Sequence, residues 1–387
     1  MSVVTAVRRT GGSEGRLLRS ADEPTHRGAT YPWMLALVAI LNLLGLVMVL
    51  SASSFTSLED YRSPWYQFQR QLVWLVLASI GLLVTLRIDY HWWRRRVGLV
   101  LLVTAGLMAA VLVPGVGVSA NGASRWLGYG PLSIQPSELA KLAVILYAAN
   151  LLAKRADRCH DWRSTLRPVM IVFGGFAALL MLQPNLGTTM ILAAIVLSML
   201  FVAGVPGRPL AVTFGSLGVA AAAAALLEPY RFRRLMAFRN PWADPLNTGF
   251  QTIQSQVGLA NGGLLGTGLG EGRAKWGFLP EAHTDFIFAI IGEELGLVGA
   301  LTVVALFVAL GLLGVRTAMR APDRFGMLVA TGVTTWILVQ AFVNIGAVVG
   351  VLPITGVPLP FVSSGGSSLL FTMAATGLLL NVARQAR

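Results

Sequence analysis

Long apolar runs recur along the chain near residues 33–53, 71–86, 97–113, 137–153, 167–182, 188–205, 209–227, 285–316, 325–349 and 365–383. A helix of about 20 residues crosses a hydrocarbon core of about 30 Å. Lipid offers no partner to an unpaired backbone group, so segments this long and apolar are predicted to be helical. The pattern predicts an all-α polytopic membrane protein with about ten transmembrane helices. The eighth run is too long for one straight crossing and is expected to tilt or to extend past the bilayer.

Composition sharpens this picture. Of the 387 residues only 12% are charged, against about 25% in a soluble domain, and the mean hydropathy is +0.69. A net charge of +13 raises the question of nucleic acid, but 27 of the 30 basic residues are Arg and no basic run exceeds Arg94-Arg95-Arg96. Their placement fits topogenic charge flanking spans. With the N-terminus inside, 20 basic residues fall in cytoplasmic segments and nine in outer ones, six of the nine in one long loop, where the positive-inside rule weighs them little. Both termini are therefore expected in the cytoplasm. Residues 1–30 read as a disordered basic tail, since no short apolar core with a cleavage site follows. Residues 31–387 read as a single ten-span domain. Its longest connection, 228–283, faces outward; with aromatics, amphipathic pieces and few flexible repeats, it is expected to be a large ordered extracytoplasmic loop. One cysteine, Cys159, excludes an internal disulfide, and the four histidines are scattered without metal-ligand spacing.

Candidate chemistry is concentrated where this loop returns to the membrane. "LPEAHTDFIFAIIGEELG" holds four of the 17 acidic residues, Glu281, Asp285, Glu293 and Glu294, at the start of an apolar run. If helical, Glu281, Asp285 and Glu293 share one broad face. Glu293 and Glu294 then lie two to three turns below the surface, where an ionisable group is costly and marks function or an internal pair. A second constellation, "QPSELAKL", starts a helix at Pro136 and sets Lys141 one turn from Glu138. A lysine inside a span needs a partner, and Glu138 or Glu293 is the candidate. A third, "YRFRRLMAFRNPW", interleaves Arg231, Arg233, Arg234 and Arg239 with aromatics, which suits either anionic headgroups or a pyrophosphate. The closely spaced glycines of "GLLGTGLGEG" imitate a nucleotide-binding loop but lack a strand–helix frame, and read as turns near the bilayer. "LPITG" imitates a cell-wall sorting signal but continues as a loop between the last two spans.

Taken in order, "NGASRWLGYGPLSIQPSELAKL", "QPNLGTT", "LPEAHTDFIFAIIGEELGLVG" and "LPITGVPLPFVSSGGSSLL" resemble the SEDS (shape, elongation, division, sporulation) family of cell-wall polymerases, from about residue 33 to 383. "YRFRRLMAF" with "PWADP" looks more like the cell-division branch, FtsW, than the elongation branch, RodA. The resemblance implies a ten-span fold and peptidoglycan glycosyltransferase activity on lipid II at the outer face of the bacterial cytoplasmic membrane. As partners it implies a class B penicillin-binding protein and other divisome proteins at the septum. The family's essential aspartate in "HTDF" falls on Asp285, and its polar "QPSE..K" residues on Gln135, Ser137, Glu138 and Lys141. Two positions depart from the family pattern: Asn185 stands for the usual Asp of "QPDxGT", and Ser364 for the usual Tyr of "SYGGSS".

The implied chemistry fits the placement. An acceptor hydroxyl attacks an anomeric carbon, Asp285 takes its proton as general base, and cations stabilise the departing lipid pyrophosphate. Arg234, Arg239, Arg273 and Lys275 are the candidate cations; Glu281, His283 and Ser363 are further candidate substrate contacts. The resemblance fixes no cofactor; a divalent cation, Mg or Mn, is compatible with the reaction. An α-linked donor giving a β-linked chain requires inversion, so no covalent sugar–enzyme intermediate is implied. Two other classes compete. A lipid II flippase needs a polar path across the whole membrane, which Glu138, Lys141 and Glu293 could line, whereas a divisome scaffold would not need Asp285.

Overall fold

A computed structural model describes residues 30–120, 123–128, 133–158, 161–227 and 238–386. The basic tail expected over residues 1–30 lies outside this range but for its last residue. A helix occupies each of the ten predicted runs: α1 (Thr30–Tyr61), α2 (Tyr66–Arg87), α4 (Val97–Val111), α5 (Pro136–Lys154), α6 (Trp162–Leu182), α7 (Leu186–Val202), α8 (Gly207–Leu227), α10 (Ile287–Met319), α11 (Arg324–Val349) and α12 (Gly366–Gln385). Between them lie the short α3 (Tyr90–Arg95) and α9 (Phe250–Gly262). A small antiparallel hairpin, β1 (Val118–Ala120) with β2 (Ala123–Trp126), joins α4 to α5. Among the described residues, seven helices are long and apolar enough to cross a membrane, and α4 and α7 are shorter apolar helices.

Local chemistry sets the ends. Pro136 occupies the first turn of α5, where its missing N–H costs nothing. The side chains of Asn185 and Asp323 accept from the amides of Thr188 and Gly326, capping α7 and α11. The first helix runs to Tyr61, beyond the apolar run, and along it Ser53, Ser54 and Thr56 turn their hydroxyls back onto the carbonyls of Val49, Ser51 and Ser53.

The centre of the bundle is α11, which packs against α5, α7, α9, α10 and α12, while α12 lies along α2. In the most apolar window of α5, α11 and α12, 72%, 61% and 78% of residues are buried, against 33% in α2, α6 and α10. The first three are therefore interior helices, and the others present most of their surface to lipid. Interior polar groups bond across helices: Thr85 to the Ala374 carbonyl at 2.9 Å, Ser198 to Thr335 at 2.9 Å, and the Asn381 amide to the carbonyls of Leu86 and Ile88 at 2.6 and 3.0 Å.

The long eighth run is interrupted. Within α10, Gly296 leaves the helix at φ 67° and ψ −168°, a region open essentially to glycine alone. Backbone groups freed by the break are taken up by the glycine-rich loop before it. Thr267 and Gly268 donate to the carbonyls of Glu293 and Glu294 at 3.0 and 3.1 Å, while Leu297 and Val298 donate to those of Gly263 and Leu264 at 2.9 and 3.2 Å. A Cβ on Gly296 would collide with the Gly266 amide, and one on Gly266 with the Glu294 carbonyl. "GLLGTG" is thus a seam laid against a broken helix, consistent with its reading as a turn rather than a nucleotide loop.

Replacing Gly296 by Ala forces an L residue into that region, at a cost of about 1–3 kcal/mol before the backbone collision is counted. A clear loss of thermal stability in detergent is expected. Gly215→Ala in α8, where nothing stands within 4 Å of the added carbon, should leave the melting temperature unchanged or raised. Equal stability of the Gly296→Ala and wild-type proteins would show that the break is not built this way.

Candidate functional site

The segment 352–365, "LPITGVPLPFVSSG", carries three prolines and so is poor in backbone donors. Its carbonyls are met by side-chain amides one turn apart on α11. Gln340 donates to the Pro358 carbonyl at 2.9 Å, and Asn344 to the Val357 carbonyl at 2.8 Å. Asn344 also donates, at 2.8 Å, to the carbonyl of Asp285. The strap returns the favour to the neighbouring residues: Ser363 donates its hydroxyl to the Thr284 carbonyl at 2.5 Å, and the Ser364 amide donates to the His283 carbonyl at 2.9 Å. Three successive carbonyls, 283 to 285, are therefore held by three different donors. Asp285 itself is half-buried, with Oδ2 3.6 Å from where a Cβ on Gly356 would stand.

This local structure corrects the expectation that Glu281, Asp285 and Glu293 share a helix face. Helix α10 begins only at Ile287. Glu281 takes a left-handed conformation at φ 58°, and its carbonyl receives the amides of Thr284 and Phe286, closing a turn. Its exposed carboxylate accepts from the Thr284 hydroxyl at 2.9 Å. Asp285 thus stands on a fixed turn ahead of the helix. His283 lies beside it, half-buried; burial pushes its pKa below the ordinary value, with Glu281 opposing, Arg70 adding to the effect and Asp60 opposing it.

The "QPSELAKL" residues reach the same strap from the inside. Lys141 donates to Glu138 at 2.9 Å and to Gln340 Oε1 at 2.7 Å, and its ammonium lies 4.5 Å from the centre of the Trp336 ring. Trp336 donates to the same Gln340 oxygen at 2.7 Å. Lys141 and Ser137 are 0% exposed and Glu138 2%, so these three side chains face protein and are not surface contacts for a ligand. Gln135 is half-buried at the position before α5. Asn185 stands 3.5 Å from the Ser137 hydroxyl, and Gly187 packs under Thr355 and Val357. The other three motifs converge on the strap.

The loop cations divide. Glu294, 1% exposed, pairs with Lys275 at 2.7 Å and accepts from Ser51 of α1. Lys275 also donates to Ser51 at 3.0 Å and to the Gly270 carbonyl at 2.7 Å. The sequence suggests Lys275 as a pyrophosphate cation, but three short contacts in a buried site commit it to the fold. Glu293 accepts the amides of Arg273 and Ala274 at 3.0 and 3.1 Å. The two deep glutamates therefore staple the returning loop to α10 and α1. The side chains of Arg239 and Arg273 are exposed; Arg234 lies outside the described residues. Ser363, suggested as a substrate contact, is 3% exposed, and its oxygen also accepts from the Leu359 amide at 2.8 Å. It is an internal fastening. The residues missed from the sequence are Gln340, Asn344 and Ser51. Two amides four apart in the otherwise apolar "WILVQAFVNIG" were the available signal for the first two.

An interior of buried polar pairs, surrounded by lipid-facing helices and closed on one side by a stapled loop, defines a multi-pass membrane protein with one elaborated polar face. The chain belongs to the FtsW/RodA/SpoVE family of cell cycle proteins, the SEDS family, whose model matches residues 32–387. It is 42% identical to the probable peptidoglycan glycosyltransferase FtsW of Geobacter metallireducens, over 91% of this chain and 94% of that one. It is 41% identical to the stage V sporulation protein E of Bacillus subtilis, over 92% and 98%. A solved chain from a peptidoglycan synthase complex that coordinates polymerization and crosslinking superposes with a TM-score of 0.75, at 30% identity, over 91% of this chain and 97% of that one.

The Lys141–Glu138 pair yields a direct test. Removing one member of a buried pair leaves the other uncompensated, at a cost of ~3–5 kcal/mol, whereas replacing both by neutral groups is often tolerated. Lys141→Met is expected to unfold well below the wild type in detergent, and adding Glu138→Gln should restore much of the loss. Strictly additive losses in the double variant would mean that the two charges do not depend on each other.

Proposed function

We propose that this protein is an inverting peptidoglycan glycosyltransferase that polymerises lipid II at the outer face of the cytoplasmic membrane, for septal wall synthesis in cell division. The observation that carries the reading is the treatment of Asp285. Its backbone is fastened on consecutive carbonyls while its side chain stays half-exposed on a turn ahead of α10. A carboxylate held in this way suits a general base, which contributes roughly 10²–10⁴-fold when it is within reach of the proton it takes. Asp285 accepts the proton of the acceptor hydroxyl as that oxygen attacks the anomeric carbon of the donor. The bond to the lipid pyrophosphate breaks with inversion, and the exposed Arg239 and Arg273 are the candidate cations for the developing negative charge. Among the described residues no three His, Cys, Asp or Glu side chains are grouped as a metal site.

The relatives named as FtsW support the division role, and the similar solved chain from a synthase complex supports a class B penicillin-binding protein as partner. A flippase reading finds less support. Glu138 and Lys141 are sealed by Gln340 and Trp336, and Glu293 is consumed by loop amides, so these groups do not line an open path.

Purified full-length protein with its transpeptidase partner should polymerise fluorescent lipid II, and Asp285→Asn should abolish strand formation while remaining folded. Wild-type polymerisation by that variant would remove Asp285 from catalysis.

Orientation is tested separately. In a Cys159→Ser background, Asn247→Cys in the exposed loop should react with a membrane-impermeant thiol reagent in spheroplasts, and Asp157→Cys only after the membrane is opened. The reverse pattern would place Asp285 on the cytoplasmic side and exclude polymerisation of externally displayed lipid II.

A further inference from the structure

We infer that Asn344 is the positioning residue for Asp285, locking the backbone of the catalytic turn to the proline-rich strap; the inference rests on the general-base role proposed above. Asn344 is 2% exposed, inside α11 and away from the loop surface. Its one amide nitrogen carries two hydrogens, and both are used: one on the Asp285 carbonyl and one on the Val357 carbonyl, each at 2.8 Å. No other side-chain group among those bonds joins the two segments through the residue that bears the carboxylate. Ser363 and the Ser364 amide hold the two preceding carbonyls, so Asn344 closes a three-point fastening at its most consequential point. One turn away, Gln340 ties the next strap carbonyl, Pro358, to Lys141. The buried lysine thereby fixes the same strap that Asn344 fixes to Asp285. Held in this way, the backbone that carries the carboxylate can be set to within a fraction of an ångström. Such precision has kinetic value, because misplacement of a reacting group by about 1 Å costs on the order of 100-fold.

Structural importance alone would predict something different, and the molecule supplies the control. Asn381 is equally buried and makes the same double donation, to the carbonyls of Leu86 and Ile88, at the opposite end of α2 from the strap. Lipid II polymerisation by the full chain with its transpeptidase partner is measured for Asn344→Ala, Asn344→Asp and Asn381→Ala, with melting temperatures in the same detergent. Asn344→Asp keeps size and replaces the donor by oxygen facing two carbonyl oxygens. Ser363→Ala and Ser363→Thr form a second pair, the latter retaining the hydroxyl.

Both Asn344 variants are expected to lose roughly 100-fold in kcat with KM for lipid II within about threefold, because substrate contacts are untouched. Asn381→Ala should lose comparable thermal stability and keep kcat. Ser363→Ala should fall about tenfold and Ser363→Thr should recover. The inference is overturned if Asn344→Ala turns over at the wild-type kcat, or if activity in all variants simply follows thermal stability. If Asp285→Asn remains active, the underlying reading falls instead; that result is read from a different variant and is not confused with the first.

Discussion

A broken helix in an apolar surrounding must have its freed amides and carbonyls satisfied from within the protein. At Gly296 this constraint falls on one seam, and the architecture on the polar face of the molecule follows from it. Four backbone bonds from residues 263–268 replace the helical bonds lost in α10. Contact this close is possible only because Gly266 and Gly296 carry no side chain. Once the loop is bound to the helix, the next residues along it, 270–275, are delivered to Glu293 and Glu294.

The density of acids near the membrane surface is thereby explained residue by residue. Glu293 accepts hydrogen bonds from backbone amides, and Glu294 pairs with Lys275 and accepts from Ser51, so neither carboxylate is left without partners in a poor dielectric. They bind the loop whose end carries Asp285. On the other side of α11, Lys141 and Glu138 form a second internal pair that reaches the strap through Gln340. Buried charge is thus used twice to hold irregular backbone, once under the loop and once under the strap. The turn that carries Asp285 lies where the two irregular segments meet.

Most of the fold was legible because a membrane span is the strongest signal a sequence carries: length and apolarity suffice. All ten runs became helices. Helix ends were less legible: α1 continues past its apolar run to Tyr61 through polar residues that hydropathy does not mark as helical. The Lys141–Glu138 pair was readable, since a lysine in a span needs a partner and i,i+3 supplied one. The turn at 281–286 was not, because it depends on Ser363 and Asn344, which lie some 60 to 80 positions away in sequence. The commitment of Lys275 to Glu294 and Ser51 was equally hidden, since a cation in a glycine-rich loop looks free until the loop's path is known. Charge and family resemblance singled out the region where loop and strap meet; tertiary contacts decided which members of it face outward.

The two departures from the family pattern show what each position is asked to do. Asn185 replaces an Asp, and its observed role is to accept the Thr188 amide at the start of α7; Asn and Asp perform that capping about equally. Ser364 replaces a Tyr, and what it gives the site is its backbone amide, donated to the His283 carbonyl, which any residue but proline could provide. The capping contact of Asn185 and the main-chain contact of Ser364 would both be available to the family's usual residues. Asp285 differs in kind. Its backbone is already fastened by other residues, so what it adds is an ionisable carboxylate, and neither a cap nor a main-chain donor could stand in for it in the general-base role proposed above.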